Sequence, residues 1–197
     1  YKSFITPKKG DAFFKAFAGF ENANAFVCDN NKYLFGAVDS TTPTNLIWDE
    51  VPDALARIWN AKEGSYETFT SLKDAVNSSV AQGKATIELM GDTDISESIT
   101  LKLGQDLTIT TAPGFSSSAC KITRASTFTN QMFVLTNGAS LNLQTIILNG
   151  DSVSNCKELV QLDNSSAVLT LGVKDSNADY PKLVDNHSNS NGGAISI

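Results

Sequence analysis

From Phe133 the chain reads FVLTNGASLNLQTIILNGD, with apolar residues at nearly every second position, a Gly-bearing corner at Asn137-Gly138 and another at Asn149-Gly150. A period of two places alternate side chains on opposite faces of a strand. The corners cut the run into short strands, and none of these meets a hairpin-length partner in antiparallel register. The same texture continues on both sides, in ATIELMG, SITLKLG, LTITTA, CKITRA, LVQLDN and AVLTLGV. Ile, Leu and Val are expected to face a core there, and Thr, Ser, Asn and Lys to face water.

Three of these segments align as a repeat. LGQDLTIT from Leu103, NGASLNLQ from Asn137 and NSSAVLTL from Asn164 each have a small or amide turn, then two apolar residues with a Thr or Asn between them. The aligned apolar positions Leu107, Leu141 and Val168 are 34 and 27 residues apart. Uneven spacing of this kind suits coils of a parallel β-helix, whose strands stack while the loops between them vary in length. A β-sandwich would show similar alternation, so periodicity alone leaves both open.

Upstream the pattern changes. In WDEVPDALARIWNAKEG, Val51, Leu55, Ile58 and Trp59 fall at i, i+4, i+7 and i+8, which predicts an amphipathic helix with Pro52 in its first turn and Gly64 beyond its end. TSLKDAVNSSVAQG predicts a second helix near 71–82: Ser71 caps with Asp74, Leu72, Ala75, Val76 and Val80 form one face, and Gly83 ends it. The first third holds Trp48, Trp59 and seven of the eleven Phe, and Phe13 to Val38 reads as short strands. The expected organisation is an aromatic-rich α/β segment over residues 1–64 and a β domain over 65–197.

The order of these features carries a resemblance. The SLKDAV helix, TIELMGDTDISESITL, DLTIT, FVLTNGASLNLQTIILNG and NHSNSNGGAISI together resemble the right-handed parallel β-helix domains of bacterial surface proteins, in which the helix caps one end. The GGAI and the Asn residues before it look like the repeat of polymorphic outer-membrane proteins and Gram-positive adhesin-like proteins, here in one copy. The likeness covers residues 66–197. It implies a pectate-lyase-like fold, mainly β, with an N-terminal α/β cap. It says less about function, because pectin-degrading enzymes, phage tailspikes and adhesins share that architecture.

Composition narrows the partners. With 197 residues there is ample length for a core, and only 18% are charged against 41% apolar, a surface of hydroxyls and amides common in extracellular β proteins. The net charge of −6, with Lys8 and Lys9 the only adjacent basic pair, argues against nucleic acid or an anionic membrane. No run of 18 apolar residues is present, so no membrane insertion is expected within this stretch. The opening at Tyr1 and the close in GGAISI suggest cut points of a larger precursor. Cys28, Cys120 and Cys156 are too scattered for a disulfide framework or a zinc site with the single histidine, His187. A Cys120–Cys156 bridge between coils and buried free thiols remain equal alternatives.

Chemistry is sparse. A hydrolase on such a fold needs two carboxylates over one groove, and a lyase a base with acidic calcium ligands. The acidic residues of the coils (Asp92, Asp94, Glu97, Asp106, Asp151, Glu158, Asp163, Asp175, Asp179 and Asp185) mostly sit at corners, where Asp satisfies local amides. GDTD at 91–94 reads as a turn, since the further ligands of a calcium loop are missing. His187 lies in an exposed loop. No catalytic residue, cofactor or metal is expected.

Binding is the stronger expectation. Outward Asn, Asp and aromatic residues can hold a glycan through amide hydrogen bonds and ring stacking, and the candidate ligand-binding residues are Tyr66, Tyr180, Asn149, Asp151, Asn186 and His187. Trp48 and Trp59 fit core packing better. Sequons at Asn77, Asn164 and Asn186 are expected by chance in so Asn- and Ser-rich a chain. The expectation is an extracellular, cell-surface adhesin-like module for a host or microbial ligand. A β-helix polysaccharide-degrading enzyme with its groove completed by further coils is the alternative, and a passive spacer a third. An uncovered end would invite self-association.

Overall fold

The computed structural model describes residues 34–38, 46–50, 54–113, 119–172, 181–188 and 193–197. The chain divides into two compact units, Tyr1–Asp53 and Ala54–Ile197. In the first, β1 (Leu34–Val38) pairs antiparallel with β2 (Leu46–Glu50). The division falls at Asp53, before the expected boundary at residue 64.

The second unit is mainly β. It starts with β3 (Ala56–Asn60) and β4 (Ser65–Phe69), an antiparallel pair. This is where a helix was expected, and residues 54–64 form none. A helix would put Ile58 and Trp59 on one face. The strand separates them, so Ala56 and Ile58 are fully buried while Trp59 is 42% exposed. Ile58 lies opposite Ile87 of the neighbouring strand, and that packing overrides the helical spacing. Asn60 builds the turn: its side-chain oxygen accepts from the backbone N–H of Lys62 and Glu63, and Gly64 closes it at φ +65°.

α1 (Leu72–Asn77) begins as its sequence predicts, with the Ser71 hydroxyl oxygen accepting from Asp74 N–H at 3.0 Å. Leu72, Ala75 and Val76 are buried. The α-helix stops at Ser78, short of the expected end near 82, and a 3₁₀ turn follows at Ser79–Ala81. Ser78 turns extended and its hydroxyl donates to Ala75 O at 2.7 Å, the local competition that makes serine a poor helix interior.

Fourteen short strands follow: β5 (Lys84–Leu89), β6 (Thr93–Ile95), β7 (Ile99–Leu101), β8 (Asp106–Thr111), β9 (Cys120–Arg124), β10 (Phe133–Leu135), β11 (Ser140–Leu143), β12 (Ile146–Asn149), β13 (Ser154–Cys156), β14 (Val160–Leu162), β15 (Val168–Leu171), β16 (Lys182–Val184), β17 (His187–Ser188) and β18 (Ile195–Ser196). They build three larger sheets, ordered β15-β11-β8-β5-β3-β4, β16-β12-β9-β6 and β18-β14-β10-β7, and a small one, β13-β17. Consecutive strands go to different sheets: β5, β6 and β7 enter the three in turn, and β8, β9 and β10 then repeat the sequence. Every pairing among β5 to β18 is parallel, where a sandwich of hairpins would be antiparallel.

In-register rows form the core. Ile99, Phe133, Val160 and Ile195 are aligned across four strands, as are Ala85, Leu107, Leu141 and Leu169. The last position corrects the repeat alignment, because Val168 pairs with Ser140 and is 49% exposed. A slip of one residue moves a side chain to the opposite face. Ile99, Phe133, Val160, Leu107 and Leu141 are buried in these rows, and full burial of such a side chain contributes about 1.5–3 kcal/mol.

Candidate functional site

Four of the expected ligand residues belong to adjacent corners. Asn149 ends β12 and Asp151 follows it, while Asn186 follows β16 and His187, expected in a loop, opens β17 and pairs with Ser154 of β13. The two corners are bonded to each other: Gly150 N–H donates to Val184 O and Ser152 N–H to Asp185 O, each at 2.9 Å. A Cβ on Gly150 would stand 2.6 Å from Asp185 O, so the contact needs glycine. Asp151, Ser152, Asn155 and Asp185 have φ between 53° and 56°, a left-handed conformation that Asn and Asp tolerate better than most residues.

The corner residues do different work. Asn149 is buried and its side-chain oxygen accepts from Asp151 N–H at 3.1 Å, an Asx turn. Asn186 faces inward: its amide donates to Lys157 O and Gly193 O, and its oxygen accepts from Arg124 and from the Cys156 thiol. Both hold backbone in place. Asp151, Asp185 and His187 are exposed, which leaves two carboxylates and an imidazole on the outside of the stacked corners. Their exposure leaves hydrogen-bonding groups available at the surface.

Tyr66 lies in β4, away from that corner, and Tyr180 lies outside the described residues. Tyr66 is half-buried and stands edge-on to Trp59, their centroids 5.2 Å apart. The Arg57 guanidinium lies 4.1 Å from the centroid of the Tyr66 ring and its Nε donates to Glu88 Oε2 at 2.6 Å. Trp59, which its sequence spacing assigned to the core, is therefore part of an outward aromatic and polar cluster. Trp48 falls in β2.

Arg124 is the functional-looking residue that pattern reading missed. It is fully buried, at the inward end of β9 after Cys120 and Ile122. One terminal nitrogen donates to Phe128 O at 3.2 Å and to Asn130 O; the other donates to Lys157 O at 2.9 Å and to Glu158 O and Asn186 Oδ1 at 3.2 Å. Burial pushes its pKa down, while the electrostatic interactions with Cys156 and Glu158 oppose the shift. The signal was present in CKITR, whose period of two puts Arg124 on the same side as Ile122. Its partners make it a structural clamp across corners.

The remaining chemistry is local. Asp92 accepts from Lys121 N–H at 2.7 Å, as a corner aspartate does. Cys120 and Cys156 are buried free thiols. Among the described residues no three His, Cys, Asp or Glu side chains gather as a metal group, and no helix is long and apolar enough to cross a membrane. Asn164 accepts from Ser166 N–H at 3.0 Å, so that sequon also forms a turn. Comparison with known proteins returns no matching family model, no matching curated protein and no matching solved structure.

Proposed function

We propose that the second unit is a right-handed parallel β-helix and that it serves as a non-catalytic binding or stalk module of an extracellular, cell-surface adhesin-like protein facing a host or microbial ligand. The observation that carries this reading is the rotation of successive strands through three parallel sheets with in-register apolar rows inside. Such an arrangement makes a rod with long outer faces, and the right hand follows from the general preference of parallel crossovers. The antiparallel β3–β4 pair at one edge of the largest sheet, and α1, packed against the core through Leu72, Ala75 and Val76, supply the cap.

Two further observations support binding over turnover. Most exposed acidic residues lie on separate elements, among them Asp74 on α1, Asp94 on β6, Asp106 on β8 and Asp163 after β14, while Asp151 and Asp185 share the stacked corners. The surface is rich in hydroxyl and amide side chains and low in charge, which suits a neutral or mixed ligand. The test is a screen of the whole chain against immobilised glycans and host-surface proteins, with every bound ligand then checked for cleavage products. Saturable binding with intact ligand is the expected result. Cleavage would replace this reading with that of a polysaccharide-degrading enzyme.

A further inference from the structure

The outer face of the six-stranded sheet carries one straight row of side chains. Tyr66 pairs with Trp59 across β4 and β3. Continuing the Ile58–Ile87 register by one residue sets Trp59 opposite Thr86. Thr86 pairs with Thr108, Thr108 with Asn142, and Asn142 with Thr170. All six strands thus contribute one residue each to a line perpendicular to the strands. At about 4.8 Å between strands the line spans roughly 24 Å.

Its chemistry is graded. One end is aromatic, with the Trp59 indole 42% exposed and braced by the edge of Tyr66. The rest is hydroxyl and amide, Thr86 and Thr170 exposed and Thr108 and Asn142 half-buried. Each hydroxyl both donates and accepts. The neighbouring rows are charge-balanced: Arg57 is paired with Glu88 on one side, and Lys84 lies opposite Asp106 on the other. The track itself therefore has no net charge to attract a polyanion. Next to its hydroxyl end, Asn142 Oδ1 is buried without a hydrogen-bond partner, close to the space that a Cβ on Gly172 would fill.

We propose that this row is a binding track for a neutral linear oligosaccharide, with a pyranose ring stacked on Trp59 and the following sugars bonded to Thr86, Thr108, Asn142 and Thr170. The inference rests on the binding-module reading and names its ligand class and site. A sugar ring offers an apolar C–H face to the indole and hydroxyls at its rim, the two chemistries the row supplies in order. A ligand hydroxyl also gives Asn142 the donor it lacks once its amide turns outward. The span favours an oligomer over a monosaccharide or disaccharide.

The test is calorimetric titration of the whole chain with cellohexaose, chitohexaose, mannohexaose and maltohexaose, their disaccharides, a heparin hexasaccharide and a host-surface protein panel. The expected result is that at least one neutral hexaose binds at least ten-fold more tightly than its disaccharide. Trp59→Ala should then weaken it at least ten-fold. The Thr86→Val, Thr108→Val double variant, which keeps shape and strand preference, should weaken it several-fold at unchanged melting temperature. If Trp59→Ala does not fold, the threonine pair decides. Absence of any neutral hexaose binding, or binding that both variants leave unaltered, overturns the track. Binding of heparin or a host protein in that case keeps the broader module reading, and silence in every arm removes both.

Discussion

Arg124 donates to the side-chain oxygen of Asn186 at 3.2 Å across 62 residues of sequence, and the same Asn186 amide reaches Lys157 O, which Arg124 also holds. The pair ties three successive corners through their carbonyls, so its loss is expected to be global. Arg124→Met removes the donors to four carbonyls, at about 1–3 kcal/mol for each buried group left unmet. Urea unfolding should show a loss on the order of 3 kcal/mol or more. Arg124→Lys recovers only part, because one ammonium cannot reproduce the planar fork. In a double-mutant cycle with Asn186→Ala the losses should be strongly non-additive.

Gln105 is expected to hold α1 to the sheets. It is buried, accepts from Lys102 N–H at 2.7 Å and donates to Val76 O and Ala81 O at 2.9 Å, where the helix and its 3₁₀ turn leave carbonyls open. Gln105→Glu keeps the acceptor but turns a carboxylate toward two carbonyl oxygens. Burial and those dipoles raise its pKa, so the folded state holds a proton that the unfolded chain has released. Stability of this variant relative to wild type should therefore be poor at pH 7 and recover as pH falls toward 5. Chemical unfolding at both pH values decides it.

The capping box of α1 and the inward alternation of β8, β11 and β12 were legible because both are local: each is written in four to eight consecutive residues. Register between the parallel strands was not, because the loops between them differ in length and only packing fixes which residues meet. Leu169 shows the consequence. The tract AVLTL permits either Val168 or Leu169 inside, and the pairing of Ser140 with Val168 selects Leu169. The same limit applies to ARIW, where Ile87 on a distant segment turns an apparent helical stripe into a strand. Val168→Lys should be tolerated within about 0.5 kcal/mol. Leu169→Lys should cost several times as much, and thermal melts of the two variants check the register directly.

Gly150 and Gly83 make a matched test of the contact between stacked corners. A Cβ at Gly150 would meet Asp185 O at 2.6 Å and Asn186 Cα at 2.7 Å, both of them backbone atoms that cannot move aside. Gly150→Ala should lose about 1–3 kcal/mol from overpacking and loosen the stacked corners first. Gly83 meets nothing within 4 Å and needs no positive φ. Gly83→Ala should gain about 0.4–1 kcal/mol by restricting the unfolded chain. Hydrogen exchange at Gly150 and Ser152, whose N–H groups bond the next corner, should accelerate only in the first variant.

Cys120 gives the fold an alkaline limit. Its thiol is buried at the start of β9, donates to Leu89 O at 3.7 Å, and its backbone N–H donates to the Thr111 hydroxyl oxygen. Burial raises its pKa; the hydrogen bond with Thr111 pulls the other way, and the Asp92 charge adds to the rise. The native state therefore keeps a proton that the unfolded chain gives up in the ordinary thiol range, near pH 8.5. With more protons bound to the folded form, stability must fall as pH rises. This contribution is complete below pH 8.5 and declines through the higher native value. Cys120→Ala should flatten the fall in unfolding free energy between pH 8 and pH 10 relative to wild type. Thiol labelling at pH 8 should reach Cys120 only on unfolding, and rapid labelling of the folded protein would show that the strand is not closed around it.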